Sequence, residues 1–231
     1  MLNLLKKELL KLKNPKQAKL LSRFFKTGKG EYGEGDVFIG LKVPQQRKIA
    51  KKYKTTKLKN IEFLLKNKIH EFRLTALFIL IDQYQKSDKK FKKEIFNFYL
   101  KNKKGINNWD LIDLSSPNII GNYLIDKDKS VLYKLAKSNS LWDKRIAVLS
   151  TFAFIRNNKF EDSLKIAEIL INDKHDLIHK AVGWMLREVG KKDLKIEEEF
   201  LRKHHKKMPR TMLRYAIEKF PKQKRILYLK K

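Results

Sequence analysis

Cysteine is absent from the 231 residues. That removes disulfides, thiolate metal sites and a cysteine nucleophile from the possible chemistry, and it suits a cytoplasmic location. Long apolar runs are missing too. The clearest unbroken one, Ala76 to Ile81, stops at Asp82, far short of the ~20 apolar residues a membrane span needs. The first residues, Met1-Leu2-Asn3-Leu4-Leu5-Lys6-Lys7, lack the apolar core of a signal peptide. Acidic residues are scarce, with 25 Asp and Glu against 55 Lys and Arg, for a formal charge of +30. Of those cations 45 are Lys, so part of the excess reflects a general Lys, Asn, Ile and Phe bias. The remainder still describes a surface that attracts a polyanion.

Proline and glycine are also few, five and nine residues, and five of the glycines fall between Gly28 and Gly40. The rest of the chain carries apolar residues at helical spacing, with no convincing period-2 strand. This predicts helices near 2–12, 15–26, 44–54, 58–67, 70–85, 89–103, 108–125, 129–138, 141–156, 160–172, 175–190, 194–206 and 209–219. Short polar breaks separate them: Ser87-Asp88, Asp126-Lys127-Asp128, Asn157-Asn158 and Asn172-Asp173. Each break offers a side chain able to cap the following helix. The expected fold is all-α with short connections, and 42% hydrophobic residues are enough to fill its core.

A repeat emerges when the alanines are aligned. Ala76, Ala147, Ala181 and Ala216 follow similar segments, at separations of 71, 34 and 35 residues, about two periods and then one each. The missing member falls near residue 111 or 112. A helical period in this range is the signature of stacked helix pairs of the HEAT or armadillo kind, in which small residues let helices pack closely. The reading is therefore a single HEAT-like repeat domain over residues 1–231. Its α-α superhelix, a solenoid, would turn a concave, basic DNA-binding face to its ligand.

The register has a consequence for chemistry. Equivalent helices carry Trp109 and Asp113, then Trp142 and Arg145, then Trp184, then Arg210 and Arg214. Trp109 and Asp113 lie one helical turn apart and so share a face. A carboxylate on a strongly basic, polyanion-binding surface is repelled by the ligand and needs a role that outweighs the repulsion. Stabilising a cation formed at the nucleic-acid backbone is such a role. With Trp184 two repeats on and Arg145 between, the set reads as an aromatic pocket with an anion and a phosphate clamp. Trp142 reads as core packing.

Other motifs carry less. Gly28-Lys29-Gly30-Glu31-Tyr32-Gly33 formally matches a dinucleotide fingerprint. That pattern has meaning only between a strand and a helix of a βαβ unit, so no nucleotide cofactor is expected. The segment to Gly40 reads as a flexible loop. His175 and His179 lie four residues apart, but two ligands do not make a zinc site, and His204-His205 sits in a basic run. No metal and no cofactor are expected.

At Trp109-Asp110-Leu111-Ile112-Asp113, at Trp142-Asp143-Lys144-Arg145-Ile146-Ala147 and at Lys180 to Glu188 the sequence resembles the AlkD family of DNA glycosylases, HEAT-like repeat enzymes that remove alkylated purines. Tyr32-Gly33-Glu34-Gly35-Asp36-Val37-Phe38-Ile39-Gly40 is also similar to a segment of the wider superfamily. The resemblance implies that Trp109 and Trp184 contact the deoxyribose of the damaged nucleotide, that Asp113 is the catalytic carboxylate and that Arg145 grips the flanking phosphate. Lys144, Lys180, Arg187 and Arg214 join it as candidate DNA contacts. Phe24 stands where some members carry a DNA-contacting tyrosine.

The implied activity is hydrolysis of the N-glycosidic bond of cationic N3- or N7-alkylated purines, such as 3-methyladenine and 7-methylguanine, in double-stranded DNA. It would proceed without base flipping and with the chain acting as a monomer. The alternative is a non-catalytic HEAT-like protein that binds bent or branched DNA, as some superfamily members do without the catalytic residues. A scaffold whose charge is only compositional is the third reading.

Overall fold

A computed structural model describes residues 1–230. Among them the secondary structure is helical, apart from one isolated parallel bridge between Val37 and Ile69. The helices are α1 (Leu2–Lys11), α2 (Pro15–Phe24), α3 (Val43–Lys52), α4 (Leu58–Leu65), α5 (His70–Lys86), α6 (Lys89–Lys101), α7 (Trp109–Ser115) and α8 (Asn122–Leu124). They continue with α9 (Ser130–Ala136), α10 (Leu141–Arg156), α11 (Glu161–Ile169), α12 (Asp176–Lys192), α13 (Leu194–His204), α14 (Arg210–Ala216) and α15 (Lys222–Leu229). No helix among the described residues is long and apolar enough to cross a membrane.

Local chemistry starts and stops these helices. Asn14 accepts from the Gln17 N–H at 3.0 Å ahead of Pro15 in the first turn of α2, and Asp88 accepts from Phe91 at 2.8 Å to open α6. Proline suits a first turn because its missing N–H has no helical partner there anyway. Two expectations shift at their ends. The helix expected over 15–26 stops at Phe24, and Lys26 then takes a φ of 50°, which no helix continues. The helix expected over 108–125 is interrupted by one wide turn at Pro117–Gly121, where proline removes a helical donor. The short helix α15 lies beyond the last helix that the apolar spacing predicts.

The chain packs as two compact units, Met1–Ser115 and Ser116–Lys231. In the first, α5 is the centre: α3, α4, α6 and α7 all pack on it. In the second, α12 lies against both α10 and α14, with α9, α11 and α13 covering them. Ala76, Ala147, Ala181 and Ala216 are all fully buried on α5, α10, α12 and α14, and Leu111 and Ile112 of α7 are buried like them. Four of these repeat positions thus bury a small residue, and the one on α7 buries a larger one. Glycine marks a tight approach between two of these helices: a Cβ on Gly183 of α12 would stand 2.4 Å from the Met212 carbonyl oxygen of α14.

The segment read as a flexible loop is fastened along its second half. The Val37 N–H donates to the Lys68 carbonyl at 3.0 Å, and the His70 N–H to the Val37 carbonyl at 2.9 Å. The buried Glu71 carboxylate accepts from the N–H groups of Ile39, Gly40 and Leu41 at 2.8 to 3.2 Å. Gly40 sits at φ 88°, and a Cβ there would meet the Asn14 carbonyl oxygen at 2.1 Å, so only glycine fits.

Candidate functional site

In the first unit, α7 opens with Trp109 and carries Asp113 one turn later. The indole of Trp109 is built into a pile of rings. It stacks on Phe25 at 5.0 Å with planes 13° apart, and Phe24 meets it edge-on at 5.8 Å. Phe25 stacks in turn on Phe38 at 4.9 Å, and Phe38 on the imidazole of His70 at 4.6 Å. Offset and edge-on contacts of this kind are favourable beyond the area they bury. Phe24 is 63% exposed while Phe25 is buried, so one side of the pile faces solvent.

Beneath the rings lies a charged network that the sequence reading did not single out. His70 Nε2 is 2.8 Å from Asp110 Oδ2, and His70 Nδ1 is 3.2 Å from Asp36 Oδ2. Arg73 pairs with the other Asp36 oxygen at 2.7 Å, and Asn108 donates to Asp36 at 3.0 Å. Burial opposes ionisation of Asp36, but the hydrogen bonds from His70 and Arg73 outweigh it and hold its carboxyl below the usual range. Burial likewise opposes the imidazolium of His70; the charge and hydrogen bond of Asp110, with Asp36, outweigh it and raise its pKa. The available signal was the start of α5, where His70, Glu71 and Arg73 occupy a helix with no polar face left over.

Asp113 is half-buried. Burial, with the Asp113 charge as a further contribution, pushes the phenol of Tyr99 up, although its hydrogen bond with Ser115 at 2.8 Å works the other way.

The second unit holds the remaining candidates. Trp184 of α12 donates from Nε1 to Glu188 at 3.0 Å and meets Phe152 at 5.7 Å, with Arg156 stacked 4.1 Å over the Phe152 ring. Arg145 is buried on α10 and donates to the Leu177 carbonyl at 2.6 Å. Lys144 pairs with Asp173 at 2.7 Å, Lys180 with Asp176 at 2.6 Å, and Arg187 with Glu218. Arg214 is exposed on α14. Trp109, Asp113 and Phe24 are thus gathered in one unit, while Arg145, Lys144, Trp184, Lys180, Arg187 and Arg214 belong to the other. His175 caps α12 by accepting from the Leu177 N–H at 3.1 Å, and His179 contacts the Asp173 carbonyl at 2.5 Å.

The family model described as DNA alkylation repair enzyme matches residues 5–220. No curated protein matches the chain. Among solved structures, a "Predicted DNA alkylation repair enzyme from Enterococcus faecalis" is similar with a TM-score of 0.72 and 17% identity, over 91% of this chain and 97% of that one. At that identity the likeness shows a shared fold.

Proposed function

We propose, from the premise that this chain belongs to the DNA alkylation repair enzyme family, that it is a monofunctional DNA glycosylase. Its substrates are cationic N3- and N7-alkylated purines in double-stranded DNA. The observation that carries this reading is the pairing on α7 of Trp109, stacked on a rigid ring pile, with Asp113 one turn away.

The chemistry suits those groups. An N3- or N7-alkylated purine already carries positive charge and leaves readily. As the glycosidic bond breaks, charge moves to the sugar as an oxocarbenium-like cation. An indole face attracts a cation by ~0.5–2 kcal/mol, which gives Trp109 and Trp184 their role. A carboxylate ~4 Å from the forming cation contributes ~4 kcal/mol at an effective dielectric near 20, roughly a thousandfold in rate. Asp113 supplies that charge and orients the attacking water. Arg145, Lys144, Lys180, Arg187 and Arg214 hold backbone phosphates, and Phe24 contacts the strand beside Trp109. The candidate set holds no second carboxylate to serve as a general acid, so neutral bases are released poorly. The lesion is read through its backbone, unlike in enzymes that extrude the base.

The test is release of 7-methylguanine and 3-methyladenine from methylated duplex DNA by wild type and by Asp113→Asn at matched DNA affinity. The substitution is expected to slow release about a thousandfold. Equal release by both proteins overturns the role of Asp113. Binding without release by wild type leaves a protein that recognises bent or branched DNA.

A further inference from the structure

The buried network under Trp109 has a charge balance that depends on one proton. Asp36 and Asp110 contribute two negative charges, Arg73 one positive charge, and His70 a second only when it is protonated. His70 is 1% exposed and Asp36 and Arg73 are buried with it. With a neutral imidazole the cluster holds an unbalanced carboxylate, which burial makes costly. The groups facing His70 are Asp110, Asp36 and the Arg73 guanidinium, whose NH2 atom lies 3.3 Å from Nδ1.

The same network reaches the residues on both sides of Trp109. Asp110 follows it and accepts from His70. Asn108 precedes it, donates to Asp36 at 3.0 Å and accepts the Trp109 N–H at 2.8 Å. The imidazole also lies at the foot of the ring pile, against Phe38 and Phe25. One side chain thus ties the backbone flanking Trp109 to the rings that support its indole.

We propose that His70, as an imidazolium bridging Asp36 and Asp110, is a positioning residue that fixes Trp109 for its ligand and releases it when deprotonated. The functional half of this inference rests on the glycosylase reading; the positional half does not. A carboxylate–imidazolium–carboxylate bridge is strong and directional, and a displacement of about 1 Å at an aromatic contact costs up to about a hundredfold in rate.

The experiment uses the full chain with 5-fluorotryptophan, the Trp109 resonance being identified by its loss in Trp109→Phe, and ¹⁵N-labelled histidine. Wild type is expected to show a His70 imidazolium at pH 6, and a Trp109 ¹⁹F resonance that shifts with the same midpoint as His70, above its ordinary value of 6.5. In His70→Gln the Trp109 resonance should move and lose that titration, while those of Trp142 and Trp184 stay in place. Asp110→Asn should lower the His70 midpoint.

A neutral His70 at pH 6, or a Trp109 resonance unchanged in His70→Gln across the pH range, overturns the proposal. Should His70→Gln fail to fold, the wild-type titration and Asp110→Asn decide it. On methylated duplex, His70→Gln should release base about 10- to 100-fold more slowly with DNA affinity within about twofold of wild type. If wild type releases no base, the glycosylase reading fails while the two resonance measurements still judge the positioning role.

Discussion

Asp36 in the first unit and Glu197 in the second are both buried carboxyls, 8% and 1% exposed, and the protein accommodates them in opposite ways. Asp36 keeps its charge. Arg73, His70 and Asn108 surround it, and its pKa is lowered despite burial. Glu197 has an oxygen with no hydrogen-bond partner, and burial, helped by the nearby charge of Glu198, pushes its pKa up to about 8 against the opposing influence of Arg187. One unit neutralises its buried charge with a network of partners, the other with a proton. The network, with Asp110 included, costs the chain five specific polar side chains, and in return it ties together the residues around Trp109. The lone carboxyl has no comparable set of partners, and Trp184 of the same unit donates one hydrogen bond to the half-buried Glu188 and makes a tilted contact with Phe152.

The largest effect should come from breaking the network. Asp36→Asn keeps the shape but leaves Arg73 and His70 with one carboxylate between them, and removing one member of a buried ion cluster typically costs about 3–5 kcal/mol. Urea denaturation at pH 7 should show a loss of that order. A loss under about 1 kcal/mol would mean that the network is dispensable and the contrast with Glu197 unfounded.

Glu197→Gln should act with the opposite sign. A carboxyl whose folded pKa is raised from 4.5 to about 8 contributes stability that is fully present below pH 4.5 and lost as pH rises through 8. The amide cannot ionise, so the variant should match wild type near pH 5 and exceed it at pH 9 by on the order of 3 kcal/mol. Denaturation midpoints at the two pH values measure this directly. A variant that is less stable than wild type at pH 9 would show that Glu197 is charged and paired. His70, also raised, gives stability that is present below 6.5 and lost as pH rises through its folded pKa.

The all-helical fold was legible in the sequence, and the spacing of its alanines pointed to buried positions on the central helices. Ala76, Ala147, Ala181 and Ala216 sit on α5, α10, α12 and α14, and each is fully buried. Most helix positions were legible because apolar spacing and polar caps are local. Family membership was legible too, since the segments that carried the resemblance lie within the matched residues 5–220. The charged network was not, because its members run from Asp36 to Asp110 and meet only after α5 and α7 pack. Nothing local distinguishes a His70 that will be buried between carboxylates from one on a surface. The loop before α3 was misjudged for the same reason: its glycines suggested freedom, while Glu71, thirty residues on, holds its backbone. The break at Pro117 was a local signal passed over.

The smallest effect tests whether the cations of the second unit touch DNA at all. Lys180 is paired with Asp176 and Arg187 with Glu218, so a phosphate approaching either one competes with a carboxylate and is repelled by it. Surface pairs of this kind are worth about 0.2–1 kcal/mol. Removing the competing carboxylate should therefore tighten DNA binding by up to about fivefold, since 1.4 kcal/mol is tenfold. Asp176→Asn and Glu218→Gln are the variants to use. Asp173, the partner of Lys144, also accepts the His175 N–H at 2.8 Å, so its substitution would disturb the entry to α12 as well. Duplex affinity measured at low salt should rise for both variants, and the gain should fade as salt screens the pairs. Unchanged affinity in both would remove Lys180 and Arg187 from the DNA contacts.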